Sequence, residues 1–421
     1  MNKTIPLLAG GTATVAVIAL GALPFYTSRQ VESRLTALTA QPMHQGDVML
    51  RNLKHEAGIL HSKGAVDMVL RDHCSLDPDE ADGATVHITY EFSHLPGLGG
   101  INGFSWKATP TGPSVEAFSR LFSGNAELTG QGRIAWSGLV SSEMKLPAMA
   151  YVGGGETIEV APSEGTLAFG DKPLRFDWAL ERVVLRGKGD AMELKQLGIQ
   201  LNLSDRQRGI GKVALKVGGF SNSLFAMEGI SLTSDTSEHG DKLDSVLTQR
   251  IDRLRVANQD MKDLVVEAAL KGVHAASVET LTTLVGSSCG IDRLTRDESD
   301  KARQALKTLI NGGMSMGISR LSGQSAQGSV DGQLMLQLKA NAKPETVALA
   351  QQLSSTGELS VKGGLLDAQQ KLMAVSTGYV SETPEGIKAA YSYEGGLLKV
   401  NGKTLDAGWL QAMLTAIEVQ I

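Results

Sequence analysis

Apolar and polar positions along this chain follow three different patterns. The first is an unbroken apolar run. Thr4 to Ser28 holds 25 residues without a charge, between Lys3 and Arg29. At about 1.5 Å per residue a helix over this stretch reaches ~37 Å, enough to cross a hydrocarbon core of ~30 Å. Leu7, Leu8, Val15, Val17, Ile18, Leu20 and Leu23 would face lipid. Phe25 and Tyr26 would lie at the interface, where aromatic rings collect. A cleaved signal peptide competes, because Leu20-Gly21-Ala22 offers a small-residue site. The length of the run favours an uncleaved signal anchor over 1–28, with the N-terminus inside and the body outside. In a bacterium that places the body in the periplasm.

The second pattern is short. Val31, Leu35 and Leu38 fall at i, i+4 and i+7, which predicts an amphipathic helix over 29–42, ended by Pro42.

From Asp47 the period becomes two. Val86, Ile88, Tyr90 and Phe92 share one face, and His87, Thr89 and Glu91 the other. Ala126, Leu128, Ile134 and Trp136 alternate with polar neighbours, as do Phe176, Trp178 and Leu180, and Val213, Leu215 and Val217. Such alternation marks antiparallel strands with one dry and one wet face. Parity breaks twice. Met192 and Leu194 give way to Leu197, Ile199, Leu201 and Leu203, and Leu180 to Val183 and Leu185. A one-residue slip turns later side chains to the wrong face, so β-bulges are predicted near Lys195-Gln196 and Arg182, in a curved sheet.

Helical spacing returns late. Val278, Leu281, Leu284 and Val285 predict a helix over 276–285. Thr295 and Glu298 form a capping-box pattern ahead of a helix through Leu309. Further helices are predicted from Pro344 through Leu353, over 365–376, and over 406–417. Leu334, Leu336 and Leu338 alternate as a strand, and Asn401-Gly402 has the chemistry of a type I′ turn. The expected class is α+β, mostly β: an N-terminal transmembrane helix, then an elongated, curved, largely antiparallel sheet with helices packed on the C-terminal half. The expected regions are 1–28, 29–42, a β-rich 43–245 and a mixed 246–421.

Composition adds limits. Net charge is −5 and no basic face stands out, which argues against nucleic acid. Aromatics make up 5% while glycines number 48, which suits a sheet with many turns better than one thick core. Cys74 and Cys289 are the two cysteines; in an oxidising compartment they pair only if folding brings them within reach.

Four patterns bear on chemistry. Six of the eight histidines fall between His44 and His94, near Cys74 and several carboxylates, yet none shows zinc-type spacing. Asp77 to Gly83 superficially resembles a calcium loop, but its spacing is off by one and Ile88 stands where a glutamate is needed. Gly313-Met314-Ser315-Met316-Gly317 fits G-x-S-x-G, but a helix precedes it and a strand follows, the reverse of a nucleophile elbow. Leu95 to Trp106 is glycine-rich without the phosphate-binding order; its Leu95, Leu98, Ile101, Phe104 and Trp106 form a candidate membrane, lipid or partner contact, against the alternative, which the pattern favours, of a loop tucked over the sheet. No catalytic, cofactor or metal residues are expected, and no enzyme.

The layout resembles the YdgA-like, DUF945-type bacterial proteins. The resemblance rests on the anchor ending in Tyr26 with Val31-Glu32 and Leu35 beyond it, on His94-Leu95-Pro96, and on the closing YSYEGGLLKVNGKTL with Asn401, Gly402 and Lys403. Leu95 departs from the family's usual His-Gly-Pro. The resemblance implies an inner-membrane-anchored periplasmic protein, self-association, and kinship in style with AsmA-like proteins of envelope lipid traffic; it implies no reaction. The expected function is a non-enzymatic envelope protein that binds a lipid or protein partner through its sheet, alone or as a homo-oligomer. The alternative is a scaffold for envelope proteins acting through sheet edges.

Overall fold

The computed structural model describes residues 48–71, 82–95, 102–111 and 127–420, apart from 154, 188, 189, 258, 289, 290, 342, 344 and 345, together with 29, 31–33 and 36. The anchor stretch and both cysteines lie outside the described residues. Among the described residues no helix is long and apolar enough to cross a membrane. Positions 29, 31–33 and 36 are helical, as the spacing predicts, and Thr36 Oγ1 donates to the Glu32 carbonyl at 2.9 Å. Leu35 and Leu38 of that predicted stripe lie outside.

The chain forms two units, Met1–Gly189 and Asp190–Ile421. The first is a meander of β1 (Val48–Glu56), β2 (His61–Arg71), β3 (Asp82–Ser93), β4 (Asn102–Thr111), β5 (Leu128–Ile134), β6 (Val140–Leu146), β7 (Met149–Gly153), β8 (Glu156–Val160), β9 (Ser163–Phe169) and β10 (Leu174–Arg186). Each strand pairs antiparallel with its neighbour in the run β1 to β6, then β9 and β10. β7 and β8 extend β6 and β9 past Pro147 and Pro162, where the ring removes a donor and interrupts the strand.

One row across this unit explains its glycines. Gly64, Tyr90, Trp106, Gly130, Met144, Gly165 and Trp178 stand directly opposite one another in successive strands. A Cβ on Gly130 would strike the Trp106 ring, and one on Gly165 the Trp178 ring. Glycine here makes room for a cross-strand aromatic ring, so large side chains and glycines share the row.

The second unit contains β11 (Ala191–Asp205), β12 (Ile210–Ser221), β13 (Phe225–His239), β14 (Lys242–Val256), β15 (Gln259–His274), α1 (Ala275–Ser288), α2 (Arg296–Asn311), β16 (Met314–Ser325), β17 (Gly328–Leu338), α3 (Leu349–Gln352), β18 (Leu353–Gly363), α4 (Ala368–Ser376), β19 (Ser381–Thr383), β20 (Gly386–Glu394), β21 (Leu397–Val400), β22 (Lys403–Leu405) and α5 (Gly408–Gln420). β11 to β18 pair in sequence, β20 joins β18, and β19 and β21 both pair with β20. Position 245 falls inside β14, while the described helices of this unit all follow His274. Every described pairing is antiparallel, so the mostly β, open-sheet class holds, with a few helices.

The helix signals resolve unevenly. Thr295 caps α2 in a full capping box with Glu298, and Asp367 caps α4 in the same way with Gln370. Asn401 (φ 47°) and Gly402 (φ 79°) make the two-residue turn joining β21 to β22, both in the left-handed region that a type I′ turn requires. The helix expected from Pro344 through Leu353 is corrected: α3 has four residues, and Leu353 already opens β18, whose Leu359 and Val361 alternate with Glu358 and Ser360. Strand pairing with β17 on one side and β20 on the other outweighs the local helical pattern.

The two predicted bulges are also corrected. Leu180 faces Ser163 and Val183 faces Val160, so both strands advance by three residues and the ladder runs through Arg182, whose carbonyl accepts from the Ala161 N–H at 2.9 Å. Near Gln196, Lys195 faces Gly219 and Leu197 faces Val217, again without a slip. A bulge adds a residue to one strand of a pair. Here the irregularity is shared. Gln196 (φ 52°), Gly218, Gly229 (φ 62°), Asp252 and Asp263 (φ 51°) stand opposite one another across β11 to β15. Apolar parity changes in each strand at this line: Leu194 to Leu197, Val217 to Phe220, Met227 to Ile230, Ile251 to Leu254, Met261 to Leu264. One extra residue per strand at a common line keeps register while returning the apolar set to its face. The seam ends at true register shifts in β15 and β16.

Candidate functional site

The sequence alternation places apolar residues in rows across the second unit. One row runs Leu201, Val213, Ser234, Leu247, Ala268, Ile318, Leu334, Gly357 and Tyr391, each directly opposite the next. A flanking row runs Ile199, Leu215, Leu232, Gln249, Val266, Leu321, Gly332, Leu359 and Ala389. A third passes through Leu203, Leu270, Met316, Leu336 and Tyr393. At ~4.8 Å between strands, nine strands carry these rows over about 38 Å. Three rows at ~6.7 Å span a field of roughly 500 Å², mostly apolar but interrupted at Ser234, Gln249, Gly332 and Gly357, a size at which the apolar patch of a monomer is often functional.

The field is open. Val213, Leu215, Leu232, Leu247, Leu270, Met316 and Leu359 are 36–45% exposed. The opposite face is wet and ion-paired: Lys212 with Asp235 at 3.2 Å, Lys388 with Glu358 at 2.8 Å, and Lys339 with Glu394 at 2.6 Å. The Lys339 hydrogen bond lowers the Glu394 carboxyl below its ordinary range.

Over β16 to β21 the field deepens into a groove of about 870 Å³. Its floor includes Ile318, Leu321, Leu334, Leu359 and Tyr391; Tyr379, Leu405 and Trp409 form its sides. Tyr391 Oη lies 2.8 Å from Ser355 Oγ, so its hydroxyl is satisfied within the sheet. Asn401 holds the Tyr379 side in place: Nδ2 donates to the Tyr379 carbonyl and Oδ1 accepts from the Ala390 N–H, both at 2.9 Å. Asp406 faces the groove, but its Oδ1 accepts from the Gly408 N–H at 2.9 Å, where α5 begins. Beyond the groove, Ile310, Leu349, Tyr393, Ala407 and Leu414 form a buried core with α2, α3 and α5. The volume lies in the range of small-molecule sites, and the walls are apolar.

The residues singled out from sequence fall elsewhere. Leu7, Leu8, Val15, Val17, Ile18, Leu20, Leu23, Phe25 and Tyr26 lie outside the described residues, as do Leu98 and Ile101. Leu95 is exposed just after β3. Phe104 and Trp106 are not on a loop; they lie in β4, facing Phe92 and Tyr90. Trp106 donates its Nε1–H to Ser142 Oγ at 2.9 Å. Ser315 sits at the start of β16 behind α2, the order expected from sequence.

Three of the described histidines, His94, His55 and His87, are structural partners. His94 is fully buried, with Nε2 2.8 Å from Ser62 Oγ and its N–H donating to the Leu60 carbonyl at 2.8 Å. His55 Nδ1 lies 3.1 Å from Tyr90 Oη, whose pKa burial raises. Asp67 takes Asn52 Nδ2 on one oxygen and has His87 Nδ1 beside the other, both at 2.7 Å. The hydrogen bond from Asn52, then that of His87, lowers the Asp67 carboxyl below its ordinary range. Among the described residues no group of three or more His, Cys, Asp or Glu is placed to hold a metal ion.

The alternation at Leu334 is visible in the sequence but the groove is not, because its walls come from residues as far apart as Ile318 and Trp409. The available signal was Leu334-Leu336 together with Leu359-Val361, two facing strands of one polarity.

Fold and site together define a mostly β, antiparallel open-sheet protein with a few helices. The chain belongs to the family described as bacterial protein of unknown function (DUF945), which it matches over residues 1–407. No curated protein and no solved structure matches it.

Proposed function

We propose that this chain is a non-enzymatic protein of the bacterial envelope, anchored in the inner membrane by Thr4–Ser28, that holds the acyl part of a lipid on the apolar face of its second unit. The observation that carries this is the continuity of the apolar rows from Leu201 to Tyr391 with the open groove under Trp409. A face this apolar and this wide is costly to leave in water. The groove offers containment and no reactive pairing, since Asp406 Oδ1 already accepts from the Gly408 N–H and the Tyr391 hydroxyl is engaged. The uncharged N-terminal stretch supports delivery of the body to the periplasmic side of a bilayer.

The test is the full chain purified in mild detergent, with extracted lipid measured by mass spectrometry. Co-purified lipid that falls sharply in Leu334→Glu and Leu359→Glu supports the proposal. Protein free of lipid, or lipid retained equally by both variants, overturns it. Crosslinks from the β1 edge to an envelope protein, without lipid, would favour the scaffold reading instead.

A further inference from the structure

The helix α5 is apolar on two sides. Leu410 and Leu414 point into the core beside Ala407. Trp409, Met413 and Ile417, at i, i+4 and i+8, form a second stripe that is 66%, 47% and 39% exposed. An apolar helix stripe is normally buried against a partner; this second one is not. The same end of the groove carries Tyr379, 52% exposed, reached from α4, a nine-residue helix with no buried residue and with Leu372 and Met373 exposed.

We infer that the outer stripe of α5 docks on a lipid bilayer, placing the mouth of the groove at the membrane surface. This rests on the lipid-holding reading above and adds where lipid enters. Trp409 belongs to both features, because it lines the groove and begins the stripe. Its amphipathic ring suits a membrane–water interface. The stripe presents no acid to an anionic surface: Glu418 is the sole charged residue of α5, and its Oε1 accepts from the Ala350 N–H at 2.9 Å. The chain outside the described body also points to a bilayer as occupant. The uncharged stretch ends at Ser28, and β1 begins at Val48. The 19 intervening residues (29 to 47) span at most about 65 Å at ~3.4 Å each, so a bilayer holding that stretch lies within that distance of β1.

The test uses the full chain in vesicles of phosphatidylethanolamine and phosphatidylglycerol, with or without bromine on the acyl chains. Met413→Trp is introduced on a Trp409→Phe background; residue 413 does not line the groove, so lipid held there does not report on it. The added fluorescence should be quenched by brominated lipid, and Ile417→Trp should behave alike. Equal fluorescence in both vesicle types overturns docking. A blue shift without quenching means that a second copy of the chain covers the stripe, and also overturns it. Quenching at 413 together with lipid-free purified protein would sink the lipid-holding reading while docking stands.

Discussion

Trp106 on β4 reaches across Gly130 of the intervening β5 to donate to Ser142 on β6, 2.9 Å away. The glycine is what permits the crossing, since a Cβ there would meet the indole ring. Gly130→Val should therefore cost about 1–3 kcal/mol through overpacking. Trp106→Phe should cost less, on the order of 1 kcal/mol beyond lost area, for the missing donor. Urea unfolding of both variants checks this. An unchanged midpoint for Gly130→Val would show that the row is loosely packed.

The seam makes a prediction of opposite signs. At Gly229 the backbone is left-handed and the Asp252 side chain fills the space a Cβ needs. Gly229→Ala should destabilise by roughly 1–3 kcal/mol. Asp263 holds a similar φ without being glycine, so Asp263→Gly should be neutral or slightly stabilising, and Asp263→Val clearly destabilising. Denaturant titrations of the three variants are sufficient. If Asp263→Val is silent, the left-handed residue is not required at the seam.

Asp67 gives a pH prediction. Its folded pKa is lowered, first by the Asn52 hydrogen bond and then by His87. A depressed carboxyl contributes stability above its unfolded pKa, near 4, and loses it as pH falls through the folded value. Asn52→Gly keeps the left-handed backbone (φ 54°) and removes the donor. The Asp67 carboxyl should then titrate at higher pH by NMR; an unmoved titration would mean that His87 alone sets it.

The open face can be separated from a covered core by stability alone. Leu232 is 37% exposed in the middle of the apolar field. Leu232→Ala should cost well under the ~2–5 kcal/mol of a buried leucine truncation. Calorimetry or urea unfolding reads this directly, and a loss of full core size would show the face to be sealed.

Much of this was legible in the sequence, and the misses have physical causes. The Thr295–Glu298 box and the Asn401-Gly402 turn are local signals and formed as read, and the alternation at Val213-Leu215-Val217 gave a strand, but Val213 and Leu215 lie on an open face and not on the dry one expected. The parity break at Lys195-Gln196 was visible in β11, but its nature was not. Only the register against Gly218, Gly229 and Asp252 shows that neighbouring strands share it. Leu349 to Leu353 fits a helix locally and becomes the start of a strand because β17 pairs with it. The groove was hidden for the same reason: pairing β18 with β20 brings Leu359 beside Ala389, and no local pattern records that.

The central claim is that the apolar face holds lipid, and photo-crosslinking in intact cells tests it most directly. A photoreactive residue placed at Leu247, Leu334 or Leu359 should capture lipid, while one at Lys212 on the wet face should not. Lipid adducts at the three apolar positions are the predicted result. Protein adducts there, or no adduct above that at Lys212, would contradict the account.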